Sequence, residues 1–334
     1  MIDLYHTANE NYDLQLFAAS SAATLTNWQV WNKPAKATMI YMLCVGGASS
    51  GQNSANGASA TNWFSGGAGG GSGAQSIALL PAFMVPDTLF IQAGQGGYHN
   101  TASYPSVTSG GVASYVSIEP FTTLNSNFLF AFANPGGAGG TAPTNNAGGI
   151  PPAAAAVATL ANMCLAGTGF TSLLAGLVGQ TAAGDAASAN IAFPTSGQIS
   201  FNGTSGGTSD SGTGAFAGGA FTAPANLLGA DLITPLPGGT PATTTTNGAN
   251  GMSSIFMGNR GNQFPLYISG GMGGGGGPAT TNTGVIVAGS GGSGQMGGGG
   301  GGGAGFSNFN TTIPAISCLG GDGGGGYVLI ASMF

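Results

Sequence analysis

Two histidines, nine carboxylates and three cysteines are all this chain has for acid–base, nucleophilic or metal chemistry. Their spacing assembles none of it. His6 stands near the N-terminus, and His99 follows Tyr98 with no carboxylate near it in sequence. A Ser–His–Asp or two-carboxylate site would have to be brought together through space. Cys44, Cys164 and Cys318 are odd in number and far apart. They match neither a disulfide framework nor a zinc spacing and read as buried thiols. The tetrapeptide Gly-Gly-Asp-Gly at 320–323 resembles one unit of a calcium-binding repeat but occurs once. Calcium takes about six to eight oxygen ligands, so Asp322 reads as a turn residue. GxGxxG patterns, for example near Gly297, arise by chance in so glycine-rich a chain. No βαβ unit frames them, and no Gly-Lys-Ser or Gly-Lys-Thr follows a tract, which excludes a phosphate loop. No catalytic residue, cofactor or metal is expected, and the chain reads as a non-enzyme.

What must position any functional residue is an unusual backbone. The chain has 67 glycines in 334 residues, many in unbroken runs: Gly69–Gly71, Gly273–Gly277, Gly297–Gly303 and Gly323–Gly326. Ordered glycine carries a high entropic cost. Such tracts therefore need many backbone hydrogen bonds, in a core built partly of main chain against main chain. A hydrophobic content of 42% argues against charge-rich disorder. Lys33, Lys36 and Arg260 are the only basic residues and the net charge is −6, which excludes phosphate neutralisation on nucleic acid and attraction to an anionic membrane. The stretch 120–184 holds only Glu119's uncharged successors, but prolines and glycines interrupt it, so no membrane span is expected. The N-terminus is acidic where a secretion signal would be basic.

Residues 1–27 lack glycine and hold three acidic residues; they read as an N-terminal arm, against a disordered terminus as the other reading. Residues 28–334 read as one glycine-rich β domain. Strands are expected over 28–46 with a turn at Pro34, 74–80, 87–93, 112–118, 127–132, 254–257, 264–268 and 326–331, from β-branched and aromatic runs closed by glycine or proline. Pro151-Pro152-Ala-Ala-Ala-Ala leads the one expected helix, near 152–164. Residues 180–250, rich in Thr, Ser, Ala, Asn and Gly, read as surface loops with short strands.

Together these pieces resemble the glycine-rich domain of bacteriophage tail-fibre, spike and related virion proteins. The resemblance rests on Trp31-Asn-Lys-Pro34, Met39 to Gly47, Gly69-Gly-Gly-Ser-Gly73, Pro86-Asp-Thr-Leu89, Gly94-Gln-Gly-Gly97 and Gly320 to Ile330, and it covers 28–334. It implies a mainly β, sandwich-like fold of short strands joined by long glycine-rich loops. In some members the tracts stack as extended helices with three residues per turn, bonded laterally because they lack internal hydrogen bonds. Residues 297–303 and 323–326 are candidates for this, with tight turns and loop glycines as the alternative.

The expected function follows from the resemblance: a structural virion protein, a spike or fibre component that binds a host surface glycan or outer-membrane protein. It would be a homo-oligomer, trimer first and pentamer second, attached to other virion proteins through its N-terminal arm. A purely structural minor capsid or cement protein is the alternative, and a bacterial surface adhesin a third reading. Receptor contacts would come from loop aromatics and their neighbours: Trp63, Phe64, Tyr98, His99, Tyr104, Phe306 and Phe309.

Overall fold

Apolar runs bounded by glycine make the strands, and the glycines themselves make a second kind of order. A computed structural model describes residues 12–19, 28–54, 56–57, 64–101, 105–144, 146–157, 171–184, 186–192, 199–209, 215–222, 237–243, 246–253, 256–257, 267–268, 270–271, 273–274, 287–307 and 319–334. In chain order the strands are β1 (Tyr12–Ala18), β2 (Gln29–Asn32), β3 (Met39–Val45), β4 (Asn56–Gly57), β5 (Gln75–Pro81), β6 (Thr88–Gln92), β7 (Ser114–Ser117) and β8 (Leu129–Ala133). They continue with β9 (Thr171–Leu174), β10 (Ile191–Ala192), β11 (Phe221–Thr222), β12 (Phe256–Met257), β13 (Tyr267–Ile268), β14 (Phe306–Ser307) and β15 (Tyr327–Met333). Among the described residues the only helical turns are two short 3₁₀ segments, Ala82–Met84 and Ser126–Phe128.

Two antiparallel sheets form a sandwich. One has the order β1-β15-β3-β5-β9 and the other β2-β6-β7-β8. The period-two alternation of strands sorts the side chains. Ile40, Met42 and Cys44 of β3, Val328 and Ile330 of β15, and Leu80 of β5 meet Trp31, Leu89, Ile91 and Val116 from the facing sheet in the main core. Leu43, Val45, Tyr327 and Leu329 point to the other face of the five-stranded sheet, under Ile199 and Met296. β3 and β15 are therefore apolar on both faces, which is why they read as continuous hydrophobic runs.

At the end of β3 the large apolar side chains stop and the chain continues as a three-residue-per-turn helix, with successive N–H groups aimed at three different neighbours. Gly46, Ser49 and Gln52 donate to Ala74, Gly71 and Ala68. Gly47 and Ser50 donate to Val112 and Ser109, and Asn53 to the Ser106 hydroxyl. Ala48 and Gly51 donate to Gly324 and Gly321. On its other sides this helix accepts bonds from Gly136, Gly97, Gly300 and Gly303. The partner residue steps by three each time, the period of a polyglycine II helix. Residues 298–305 are enclosed in the same way. Gly299, Gly302 and Gly305 donate to Phe201, Thr204 and Gly207, and Gly301 and Ala304 to Gly292 and Gly289. Gly271, Gly274, Gly70, Gly67, Gly321 and Gly324 donate back to it. Two helices are thus each ringed by others, in a lattice held mainly by main-chain bonds.

Glycine is needed here for close approach more than for conformational freedom. A Cβ on Gly51 would sit 2.5 Å from the Gly301 carbonyl carbon, and one on Gly300 would sit 2.6 Å from that of Gly321. Where the lattice does carry side chains, they replace missing main-chain acceptors. Asn247 and Asn250 accept from the N–H groups of Val287 and Ser290, 40 residues on in both cases.

Three expectations are corrected. Pro151–Val157 are not helical; the Ala155 carbonyl accepts from Gly176 N–H, so the prolines and alanines serve an extended lattice segment. The remainder of the expected helix, 158–164, lies outside the described residues. Residues 199–209 are not surface loop: Phe201, Thr204, Ser205, Thr208 and Ser209 are buried, because 203–207 border the second enclosed helix. The expected arm is in part structural. Tyr12–Ala18 pairs with Tyr327–Met333 along its whole length, and Phe17 enters the core; residues 1–11 lie outside the described set.

Candidate functional site

The helices that leave the sandwich carry their connections to the far end of the lattice, and polar side chains at that end gather them. Gln52, fully buried, accepts from Ala68 N–H at 3.1 Å through Oε1 and donates through Nε2 to the carbonyls of Ile150 at 2.9 Å and Thr141 at 3.2 Å. It thereby ties the bridge Thr141–Ile150 to the first enclosed helix. The next residue, Asn53, donates to the Asn100 carbonyl and accepts from Gly320 N–H at 2.9 Å. Thr208 donates to the Gly184 carbonyl at 2.6 Å.

Of the seven residues expected to contact a receptor, Tyr98 and His99 are described side chains on the tract that runs beside Ala48. Tyr98 is 62% exposed. His99 follows Gly97, whose N–H donates to Ala48 and so fixes where the loop departs. Phe64 is corrected: it is 1% exposed and its backbone makes a reciprocal bridge with Ser209, 3.0 Å in each direction. It is a packing residue, because its strand bridge turns the ring inward. Phe306 lies in β14, paired in parallel with Asn56 of β4. Trp63, Tyr104 and Phe309 lie outside the described residues.

His99 has the carboxylate partner that its sequence neighbourhood lacks. Asp322 Oδ1 lies 2.7 Å from His99 Nδ1 and accepts the His99 backbone N–H at 2.8 Å. The pair is about one-third exposed, with side chains at 26% and 35%. Among the described residues Asp322 is the one charged side chain of the lattice; Asp13, Lys33, Lys36, Asp87 and Glu119 belong to the sandwich. A lone acid in an uncharged glycine tract was the available signal, and reading it as a turn residue missed its partner 223 positions away.

The remaining reactive groups are sealed off. Burial pushes the Cys44 thiol far above its usual range, partly offset by bonds to Ala133 and Ser76. Burial does the same to the Tyr327 phenol, partly offset by Ser200. Among the described residues no three His, Cys, Asp or Glu gather as a metal site, and no helix is long and apolar enough to cross a membrane. Neither a protein-family model nor a curated protein sequence matches this chain.

Proposed function

We propose that this chain is a non-enzymatic structural protein of a bacteriophage virion, a spike or fibre component that binds a host surface receptor with the loops its lattice presents. One observation carries the reading: strands of both sheets continue into one hydrogen-bonded lattice, and exposed Tyr98 and the part-exposed His99–Asp322 pair stand on its surface, on tracts that run beside Ala48 and Gly51. A rigid scaffold presenting loops suits recognition. Among its described residues the lattice gathers no three His, Cys, Asp or Glu side chains. The receptor would be a glycan or an outer-membrane protein. The protein would act as a homo-oligomer, trimer first and pentamer second, exposed on the particle and joined to other virion proteins at its N-terminal end.

A second reading, a minor capsid or cement protein without receptor contact, is favoured by the outer face of the five-stranded sheet. Tyr12, Leu14, Tyr41, Ile77 and Leu79 stand on that face without a charge among them, as a surface packed on another protein would. Competition separates the two. Purified protein that binds host cells and blocks phage adsorption supports the receptor reading. Labelling that finds the protein buried in the shell, with adsorption unaffected, refutes it in favour of the cement reading.

A further inference from the structure

We propose that His99, Asp322 and Tyr98 form a subsite for a hydroxyl-rich neutral ligand of the carbohydrate class, with Asp322 as the residue that positions the imidazole. The proposal rests on the receptor-binding reading and names the ligand chemistry of that surface.

An ionised carboxylate only accepts hydrogen bonds. Asp322 Oδ1 stands 2.7 Å from His99 Nδ1, so in the neutral ring the proton is on Nδ1. Nε2 is then left with its lone pair, an acceptor that a ligand hydroxyl can meet. The carboxylate does not move to suit the ring, because its backbone is locked on every side. The Asp322 carbonyl accepts from Gly294 at 2.7 Å, Gly321 N–H donates to Gly301, and Gly323 N–H donates to Gly97. The same oxygen also takes the His99 backbone N–H, so main chain and ring are oriented together.

The surroundings select the ligand. With a carboxylate behind an acceptor nitrogen and no described cation in the lattice, phosphate, sulfate and acidic peptides are repelled. Tyr98, adjacent and 62% exposed, offers an aromatic face with a polar tip, which suits the mixed C–H and O–H surface of a sugar ring.

Two readouts test this. Nitrogen-15 spectra of the histidine side chains at pH 8.5 should show the His99 ring protonated on Nδ1, and Asp322→Asn should shift it toward the Nε2–H form. A wild-type ring already protonated on Nε2 overturns the positioning role. Wild type, Asp322→Asn and Tyr98→Ala are then applied to an array of neutral oligosaccharides and, in parallel, to host cells. Weakening of oligosaccharide binding by about tenfold or more in both variants, with unchanged melting, supports the subsite. Oligosaccharide binding that neither variant alters overturns it. Binding to cells but to no neutral oligosaccharide overturns the ligand class and leaves the receptor reading standing. Binding to neither refutes both.

Discussion

Replacing Gly300 by alanine should unfold much of the molecule's stability with one methyl group. The new Cβ would lie 2.6 Å from the Gly321 carbonyl carbon and 2.7 Å from the Asp322 carbonyl oxygen, where ordinary contact begins at 3.4 Å. The Gly321 carbonyl oxygen is nearer still, so relief requires the two helices to part by about 1 Å or more. The bonds that join them, Gly321 N–H to Gly301 at 2.7 Å and Gly324 N–H to Gly298 at 2.8 Å, would then exceed hydrogen-bonding distance. Each buried backbone group left without a partner costs about 1–3 kcal/mol, and two lost bonds strand two N–H groups and two carbonyls, so the cost is about 4–12 kcal/mol. That is a large share of a typical total of about 5–15 kcal/mol. Gly110→Ala is the control. Its Cβ would stand 3.1 Å from the exposed Ala138 methyl, 3.2 Å from the Ala138 nitrogen and 3.3 Å from the Gly136 carbonyl oxygen, a crowding of a few tenths of an ångström at an exposed neighbour, and the change should stay within about 1 kcal/mol of wild type. Denaturant melts of the three proteins decide the matter. Equal midpoints for Gly300→Ala and Gly110→Ala would refute the claim that backbone packing holds the lattice.

Gln52→Leu should cost about 2–4 kcal/mol, because it strands the Ala68 N–H and the carbonyls it served; hydrogen exchange should quicken around 141–150, and unchanged exchange there would count against the tie. In a Cys164→Ser/Cys318→Ser background, Cys44 should resist a maleimide in the native state at pH 8 and react on unfolding; fast native labelling would contradict its burial. Stability should fall with alkaline pH. The Cys44 and Tyr327 groups have raised folded-state values, so their contribution is whole below the ordinary thiol and phenol values of 9.0 and 10.0 and is lost as pH climbs past them, when only the unfolded chain ionises. A flat melt profile from pH 8 to 11 would contradict this. Deleting residues 1–11 should leave the fold intact and test particle attachment cleanly, whereas deleting 1–19 removes β1 and should lower the melting temperature; equal melting would mean that β1 contributes nothing.

The expected strands of the two sheets were legible because each is a local event, whereas β1, read as an arm, and β9 were not. Met39–Val45 and Tyr327–Met333 are apolar runs that stop at glycine, and they form where the pattern puts them. The pairing of β1 with β15 was not legible, since Tyr12 meets Met333 from the opposite end of the chain and nothing local marks an edge strand's partner. Residues 199–209 misled through polarity. Thr204 has the composition of a loop residue, yet its hydroxyl donates to Gly219 at 2.7 Å and accepts from Gly273 at 2.6 Å inside the lattice. Pro151–Val157 misled through propensity, because alanine favours a helix only where its carbonyls have helical partners to find. Of the candidate site, the Tyr98–His99 pair could be read from residue type. Phe64 could not be told from an exposed aromatic, and Asp322 could not be joined to His99, because both depend on which tracts lie side by side.

Hydrogen exchange at the glycine amides of 47–51 and 299–305, measured against those of β3, tests the account most directly. Enclosed helices should exchange as slowly as Leu43 and Cys44 at the heart of the sandwich, only through global unfolding. Exchange within seconds at those glycines, while β3 stays protected, would mean that the tracts are loops and that no lattice exists.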